Sequence, residues 1–396
     1  MPVKATDPKS PEKKDAKITS KKSMQSKSIL ENLKDEIKVI ADKISLSERI
    51  TIEEGIWLYE HAETATLGIL ATLAKQKVSG DKVFFNRNFH IEPTNICIHS
   101  CLFCSYRRRI NEIDAWEYSL DDISELAASH KDEDITEVHI VGGVHPSRDI
   151  DYYCQLIKAV KEELPKVQIK AYTAVEIDQM SKKAGLSIKA GLLKLKEAGL
   201  ESIPGGGAEI FDETLRKKIA PDKTNSAKWL EIHQTAHSLG IPSNATMLYG
   251  HLENYSQRID HLNRLRELQD KTHGFNCFIP LKYHKSGNTM TEIPEVNQIE
   301  DMRNYAVSRI FLDNIPHLKA YWPMIGRDMA ELSLSFGVDD LDGTIQDTTK
   351  IYSMAGSKEQ NPAMQASELI EMIHKNGLTA IERDSLYKTL KIYKRK

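Results

Sequence analysis

Apolar positions recur at intervals of three and four residues through Leu30, Leu33, Ile37, Ile40 and Ile44 and again from Ile52 to Leu73, a spacing that predicts amphipathic helices over 29–80. After Gly80 the rhythm changes. Short β-rich runs alternate with helical ones, and strands are predicted at 84–91, 137–141, 168–173, 200–203, 243–248, 275–279, 317–322 and 332–336. Helical stretches fall between them at 120–129, 152–164, 188–198, 226–239, 256–268 and 299–312. Strand and helix repeated eight times over 81–344 predict an α/β fold of the (β/α)8 TIM-barrel type, with a doubly wound open sheet as the alternative. Residues 345–396 read as a helical extension that caps the barrel.

In such a barrel the chemistry sits in the loops after the strands, because those loops converge on one face. The unusual residues of this chain fall there. Cys97, Cys101 and Cys104 follow the first strand, Gly142, Gly143 and His145 the second, Glu176 the third and Gly205 to Gly207 the fourth. Tyr249 and His251 follow the fifth strand and Asp340 and Asp342 the eighth.

The 396 residues are 40% hydrophobic and 28% charged, ordinary for a globular chain with a sizeable core. Residues 1–28 hold eight Lys against Asp7, Glu12 and Asp15, a surplus of five in a chain of net charge −3, so the remainder sums to −8. An acidic body argues against nucleic acid as the main ligand, and the tail reads as a disordered, solvated extension. The longest apolar stretch, 67–74, is too short to span a bilayer. The N-terminal lysines have no apolar segment behind them, so no secretory signal is read and a cytoplasmic location is expected. Five cysteines in a reducing compartment point to metal or redox chemistry.

Three of them are spaced C-x3-C-x2-C within 97–104, while Cys154 and Cys277 stand alone and read as buried small side chains. Structural zinc wants four closed ligands, and an electron-transfer 4Fe-4S cluster wants four thiolates. Three thiolates leave one iron of a cluster open to a substrate. Zinc with His99 as fourth ligand and buried structural thiols remain alternatives.

The C-x3-C-x-aromatic-C motif after the first strand resembles the radical S-adenosylmethionine superfamily. That resemblance implies a 4Fe-4S cluster on Cys97, Cys101 and Cys104, with Phe103 and Tyr106 near the adenine of S-adenosylmethionine. It also implies Gly142 and Gly143 near the methionine amino group; the family's usual acidic residue after those glycines is missing. Glu176 is a candidate acceptor for the ribose hydroxyls or an amino group. Residues 200–211 (LESIPGGGAEIF), 243–251 (SNATMLYGH) and 278–284 (FIPLKYH) are similar to the menaquinone and deazaflavin branch. Residues 312–322 (LDNIPHLKAYW) and 337–344 (GVDDLDGT) resemble the aminofutalosine synthase family within it.

That likeness implies addition of the 5′-deoxyadenosyl radical to 3-[(1-carboxyvinyl)oxy]benzoate, followed by aryl migration and decarboxylation, with S-adenosylmethionine consumed and a flavodoxin or ferredoxin-type electron donor. Candidate substrate contacts are His145, Asn244, Tyr249, His251, Arg309 and Asp340. The related dehypoxanthine futalosine cyclase and deazaflavin synthase are the alternative enzymes, and an iron-sulfur electron carrier is the non-enzymatic one. A zinc-dependent barrel hydrolase would call for strand-end His pairs, and no His-x-His is present.

Overall fold

The computed structural model describes residues 35–345, 350–357, 360 and 362–395, which fall into units 1–50 and 51–396. In the first unit the helix Asp35–Leu46 carries positions 37, 40 and 44 on one face. The lysine-rich segment 1–28 lies outside the described residues.

Among its described residues the second unit holds ten strands: β1 (Lys82–Phe85), β2 (Asn88–Ile91), β3 (Glu137–Ile140), β4 (Gln168–Ala171), β5 (Ser243–Tyr249), β6 (Phe275–Lys282), β7 (His317–Ala320), β8 (Asp340–Leu341), β9 (Thr379–Arg383) and β10 (Thr389–Tyr393). Parallel pairing runs β2-β3-β4 and β5-β6-β7-β8-β1. Single parallel bridges, Lys170 with Ser202 and Ile203 with Ser243, carry it across the gap between the two sheets. The ring closes where β1 leads into β2. There the Thr344 hydroxyl donates to Asn88 O at 2.9 Å, and the Ile345 N–H donates to Asn88 Oδ1 at 3.2 Å. The result is the parallel (β/α)8 ring read from the sequence, with a very short fourth stave.

Alternation along the strands sorts the side chains. Phe89, Val138, Ile140, Ile169, Leu318 and Leu341 are fully buried and face the helices, whereas Glu137, His139, Lys170, Lys319, Asp340 and Asp342 face inward. Lys170 Nζ donates to Glu137 Oε2 at 2.6 Å, and Lys319 Nζ donates to Asp342 Oδ1 at 2.9 Å. The barrel's lower interior is thus a paired charge network, where many barrels carry branched aliphatics. Pairing is obligatory, because an isolated buried ion costs several kcal/mol or more.

The structure corrects four readings. Residues 334–336 form a 3-10 turn, and the eighth stave is Asp340–Leu341, so Asp340 lies within the strand and only Asp342 directly follows it. The C-terminal part is not purely helical: the helix Ala366–Lys375 is followed by the β9-β10 hairpin, which extends the sheet beside β1. The helices Ala174–Lys183, Glu213–Ile219, Trp322–Ile325 and Arg327–Ser333 were not anticipated. The first begins with Thr173 and Glu176 in a reciprocal capping box, and T-x-x-E ahead of an apolar run is its signature in the sequence.

Helices Ile52–His61 and Thr64–Ser79 lie against the outer helices of the barrel. A Cβ on Gly55 would fall 2.8 Å from Ile259 and Phe311, so only glycine permits that approach. The Tyr59 hydroxyl donates to Asn304 Oδ1 at 2.6 Å in the same interface.

Candidate active site

The loop after β2 is fastened before it reaches the first cysteine. Asn95 Nδ2 donates to Asp114 O at 2.9 Å, and Asn95 Oδ1 accepts from the Trp116 N–H at 2.9 Å. The Cys97 N–H donates to Arg108 O at 3.0 Å and the Ile98 N–H to Val144 O at 3.0 Å. Arg109 Nη1 then donates to the Cys97 and Ile98 carbonyls at 2.9 and 2.8 Å. The Leu102 N–H reaches Ile219 O at 2.8 Å. Every one of these bonds holds backbone, and none of them is made by a sulfur.

Gly142 and Gly143 owe their identity to this loop. A Cβ on Gly142 would lie 2.9 Å from Thr94 O, and one on Gly143 would lie 2.3 Å from Ile96 O. The Gly143 N–H donates to Thr94 O at 2.7 Å. Behind them, Glu176 accepts from the Thr173 N–H at 2.7 Å and the Thr173 hydroxyl at 2.8 Å, and stands 3.4 Å from the Gly142 nitrogen. Burial pushes the Glu176 carboxyl up to about 7 against those hydrogen bonds.

A cavity of about 260 Å³ opens at the C-terminal ends of the staves. Cys97, Cys101, Cys104, Phe103, Tyr106, Gly142 and Gly143 all line it, as does Asn244 from β5. Tyr106 is fixed there by its hydroxyl, which donates to Thr94 O at 3.1 Å, and by the edge of Trp116 at 5.3 Å between centroids. His139, Thr246, Ile279, Leu281, Tyr321 and Tyr352 complete a largely apolar wall. Burial raises the Cys97 thiol and pushes Cys101 up to about 12, with Lys223 pulling the other way on Cys101.

The residues fit an iron-sulfur cluster and a nucleoside ligand. Three thiols share one cavity with an aromatic ring fixed beside them, and Asn244 Oδ1 and His139 Nε2 are buried there with no hydrogen-bond partner among the described residues. Among the described residues no three His, Cys, Asp or Glu side chains converge on a single ion. A four-iron cluster takes each thiolate on a different iron, so its ligands stand further apart than those of one zinc.

The Radical SAM superfamily profile matches residues 91–265, and that of the CofH/MqnC C-terminal region matches 272–396. The chain is 43% identical over 360 residues to an aminodeoxyfutalosine synthase of Thermus thermophilus, covering 90% of this chain and 96% of that one. This chain belongs to the radical SAM superfamily. A second aminodeoxyfutalosine synthase, from Streptomyces coelicolor, is 39% identical, with 89% of this chain and 94% of the relative covered. The crystal structure of methylornithine synthase shares the fold at a TM-score of 0.70 and 18% identity, covering 86% of this chain and 96% of that one.

Within this radical SAM barrel five expected substrate contacts are placed elsewhere. Tyr249 points outward, its hydroxyl donating to Asp301 Oδ1 at 2.8 Å in a fully buried site. His251 is folded into its own turn, with Nε2 3.1 Å from Leu248 O and Nδ1 3.3 Å from Glu253. Arg309 donates to the carbonyls of Leu312, Ile315 and Pro316 at the end of helix Gln298–Phe311. Asp340 is taken up by Arg383. His145 is buried against Ser147 and stands 3.2 Å from Glu117, outside the cavity lining.

Glu176 also lies outside this cavity, behind Gly142, so its place as a ribose acceptor is not supported by position. Sequence reasoning missed Arg107, Glu209 and Lys223, which do line it. Lys223 Nζ donates to Glu209 Oε1 at 2.6 Å. Burial opposes the charge on Lys223, and the neighbouring Cys101 and Glu209 outweigh it and hold the ammonium charged. Glu209 has φ +50°, a strained value for a residue with a side chain, at the end of the Gly205 to Gly207 run.

Proposed function

We propose that the chain is an aminodeoxyfutalosine synthase. It joins the 5′-deoxyadenosyl group of S-adenosylmethionine to 3-[(1-carboxyvinyl)oxy]benzoate, releasing methionine and one carboxyl carbon as carbon dioxide or bicarbonate, and yields 6-amino-6-deoxyfutalosine. The near full-length match to two synthases at 43% and 39% identity carries this reading. Cys97, Cys101 and Cys104 hold the 4Fe-4S cluster, which when bound supplies the electron that splits the sulfonium. A flavodoxin or ferredoxin-type donor provides that electron, and the reaction is cytoplasmic.

The residues of the chain position and exclude. Tyr106, locked by Thr94 and Trp116, offers a rigid face to the adenine. Asn244 Oδ1 offers an uncommitted acceptor, and Glu209, fixed by Lys223, a carboxylate with one oxygen spent. Ile279 and Leu281 give the aryl group an apolar wall and keep water from a carbon radical. Holding the vinyl carbon beside the nascent radical is the main task left to the protein, a matter of orientation more than of acid or base.

Adenine-labelled S-adenosylmethionine with the enol ether and dithionite tests the reading. The synthase leaves the label in the larger adduct. Label recovered almost wholly as free 5′-deoxyadenosine, with the enol ether intact, would overturn it in favour of a hydrogen-abstracting relative such as the dehypoxanthine futalosine cyclase or a deazaflavin synthase-type enzyme.

A further inference from the structure

A substrate with two carboxylates needs cationic partners in an apolar cavity, because a buried anion without one loses its hydration uncompensated. Among the described residues four lining side chains can carry positive charge: His99, His139, Lys223 and Arg107. Three are paired or uncharged. His139 is held neutral by burial, His99 stands 3.8 Å from the Asp222 carboxylate, and Lys223 is bonded to Glu209.

Arg107 has no hydrogen bond or ion pair from its guanidinium among the described residues, although its backbone carbonyl accepts from Arg108 Nη1 at 2.8 Å. Arg108 Nη2 pairs with Asp114 at 2.6 Å, and Arg109 is spent on two loop carbonyls and on the Ser100 hydroxyl at 2.8 Å. Of three consecutive arginines, two brace the cysteine loop and the third is left to the cavity.

We propose that Arg107 is the residue that holds a carboxylate of the enol ether substrate. This rests on the synthase reading and replaces Arg309 as the substrate clamp. The planar guanidinium suits a two-point grip on a carboxylate, which fixes the orientation of a small rigid molecule better than a point charge does. With Ile279 and Leu281 available to the ring, one charged anchor and an apolar slot define the pose.

The test reads binding without turnover: calorimetric titration of the enol ether into reconstituted protein with S-adenosylmethionine and no reductant. Arg107→Met is expected to weaken binding by about 10- to 100-fold, the range of a charge-assisted hydrogen-bonded contact, with Arg107→Lys in between. The cluster absorbance and the uncoupled cleavage of S-adenosylmethionine without enol ether should stay within about twofold of wild type, since neither involves this contact. Two analogues complete a cycle, 2-phenoxyacrylate and 3-(ethenyloxy)benzoate, each lacking one carboxylate. One of them should lose affinity in wild type and no further affinity in Arg107→Met.

Equal losses for both analogues in wild type and variant would overturn the proposal. So would loss of the cluster or of uncoupled cleavage in Arg107→Lys, which would assign the residue to the cofactor loop instead. If wild type binds the enol ether through Arg107 yet forms no adduct, the synthase reading fails and the anchor stands.

Discussion

Asp340 Oδ2 accepts from both Nε and Nη2 of Arg383, at 2.9 and 2.7 Å, and neither residue has any exposed surface. The pair ties the eighth stave to β9 across β1, so the C-terminal hairpin is anchored in the barrel interior. Removing one partner leaves a buried ion uncompensated, and Asp340→Ala is expected to cost about 3–5 kcal/mol. Urea denaturation of the variant checks the cost. KM for the enol ether in the folded variant should be close to wild type, because Asp340 does not line the cavity.

Gly143→Ala should prevent assembly of the site. Its Cβ would meet Ile96 O at 2.3 Å, and the obstacle is backbone, which cannot swing aside. The brown absorbance after anaerobic iron reconstitution should be lost. Gly185→Ala serves as the control: its φ is +65° but nothing lies within 4 Å, so its cost is the conformational one, roughly 1 kcal/mol, with the absorbance retained.

Cys97→Ala, Cys101→Ala and Cys104→Ala should each abolish iron-sulfur absorbance and turnover. Cys154, whose sulfur sits 3.7 Å from Lys194 O, and Cys277, fully buried within β6, are outside the cavity lining. Their alanine variants should keep both signals and lose only packing, about 1 kcal/mol. Equal damage from all five substitutions would refute the assignment.

Glu176 sets a pH dependence of stability. Burial holds its carboxyl at about 7 in the folded chain, above its ordinary value of 4.5, so the folded state keeps the proton longer. The stabilisation is complete below about pH 4.5 and is lost as pH rises through 7, in total about 3 kcal/mol. Glu176→Gln removes this titration. Thermal midpoints at pH 5 and pH 8 should differ less in the variant than in wild type, and an unchanged difference would refute the assignment.

The alternation of β-rich and helical runs and the cysteine triad were legible along the chain, because both are local: a period of two or of three to four, and three thiols within eight residues. Strand parity was legible too. Asn244 and Thr246 line the cavity, so Tyr249, of opposite parity on the same strand, had to point away from it. Parity does not give depth, however. Asp340 and Tyr321 both face inward, yet the first meets Arg383 in the charge network and the second reaches the cavity, a difference set by the stagger of β7, β8 and β9. Nor does sequence say which of Arg107, Arg108 and Arg109 is left unspent, since that follows from where Asp114 and the Cys97 carbonyl come to lie once the loop has closed. Local pattern along the chain was enough for the barrel, its reactive face and the thiols. Which polar side chains had already found partners came from the packed fold, because a buried charge is satisfied by residues distant in sequence whose meeting no local pattern records.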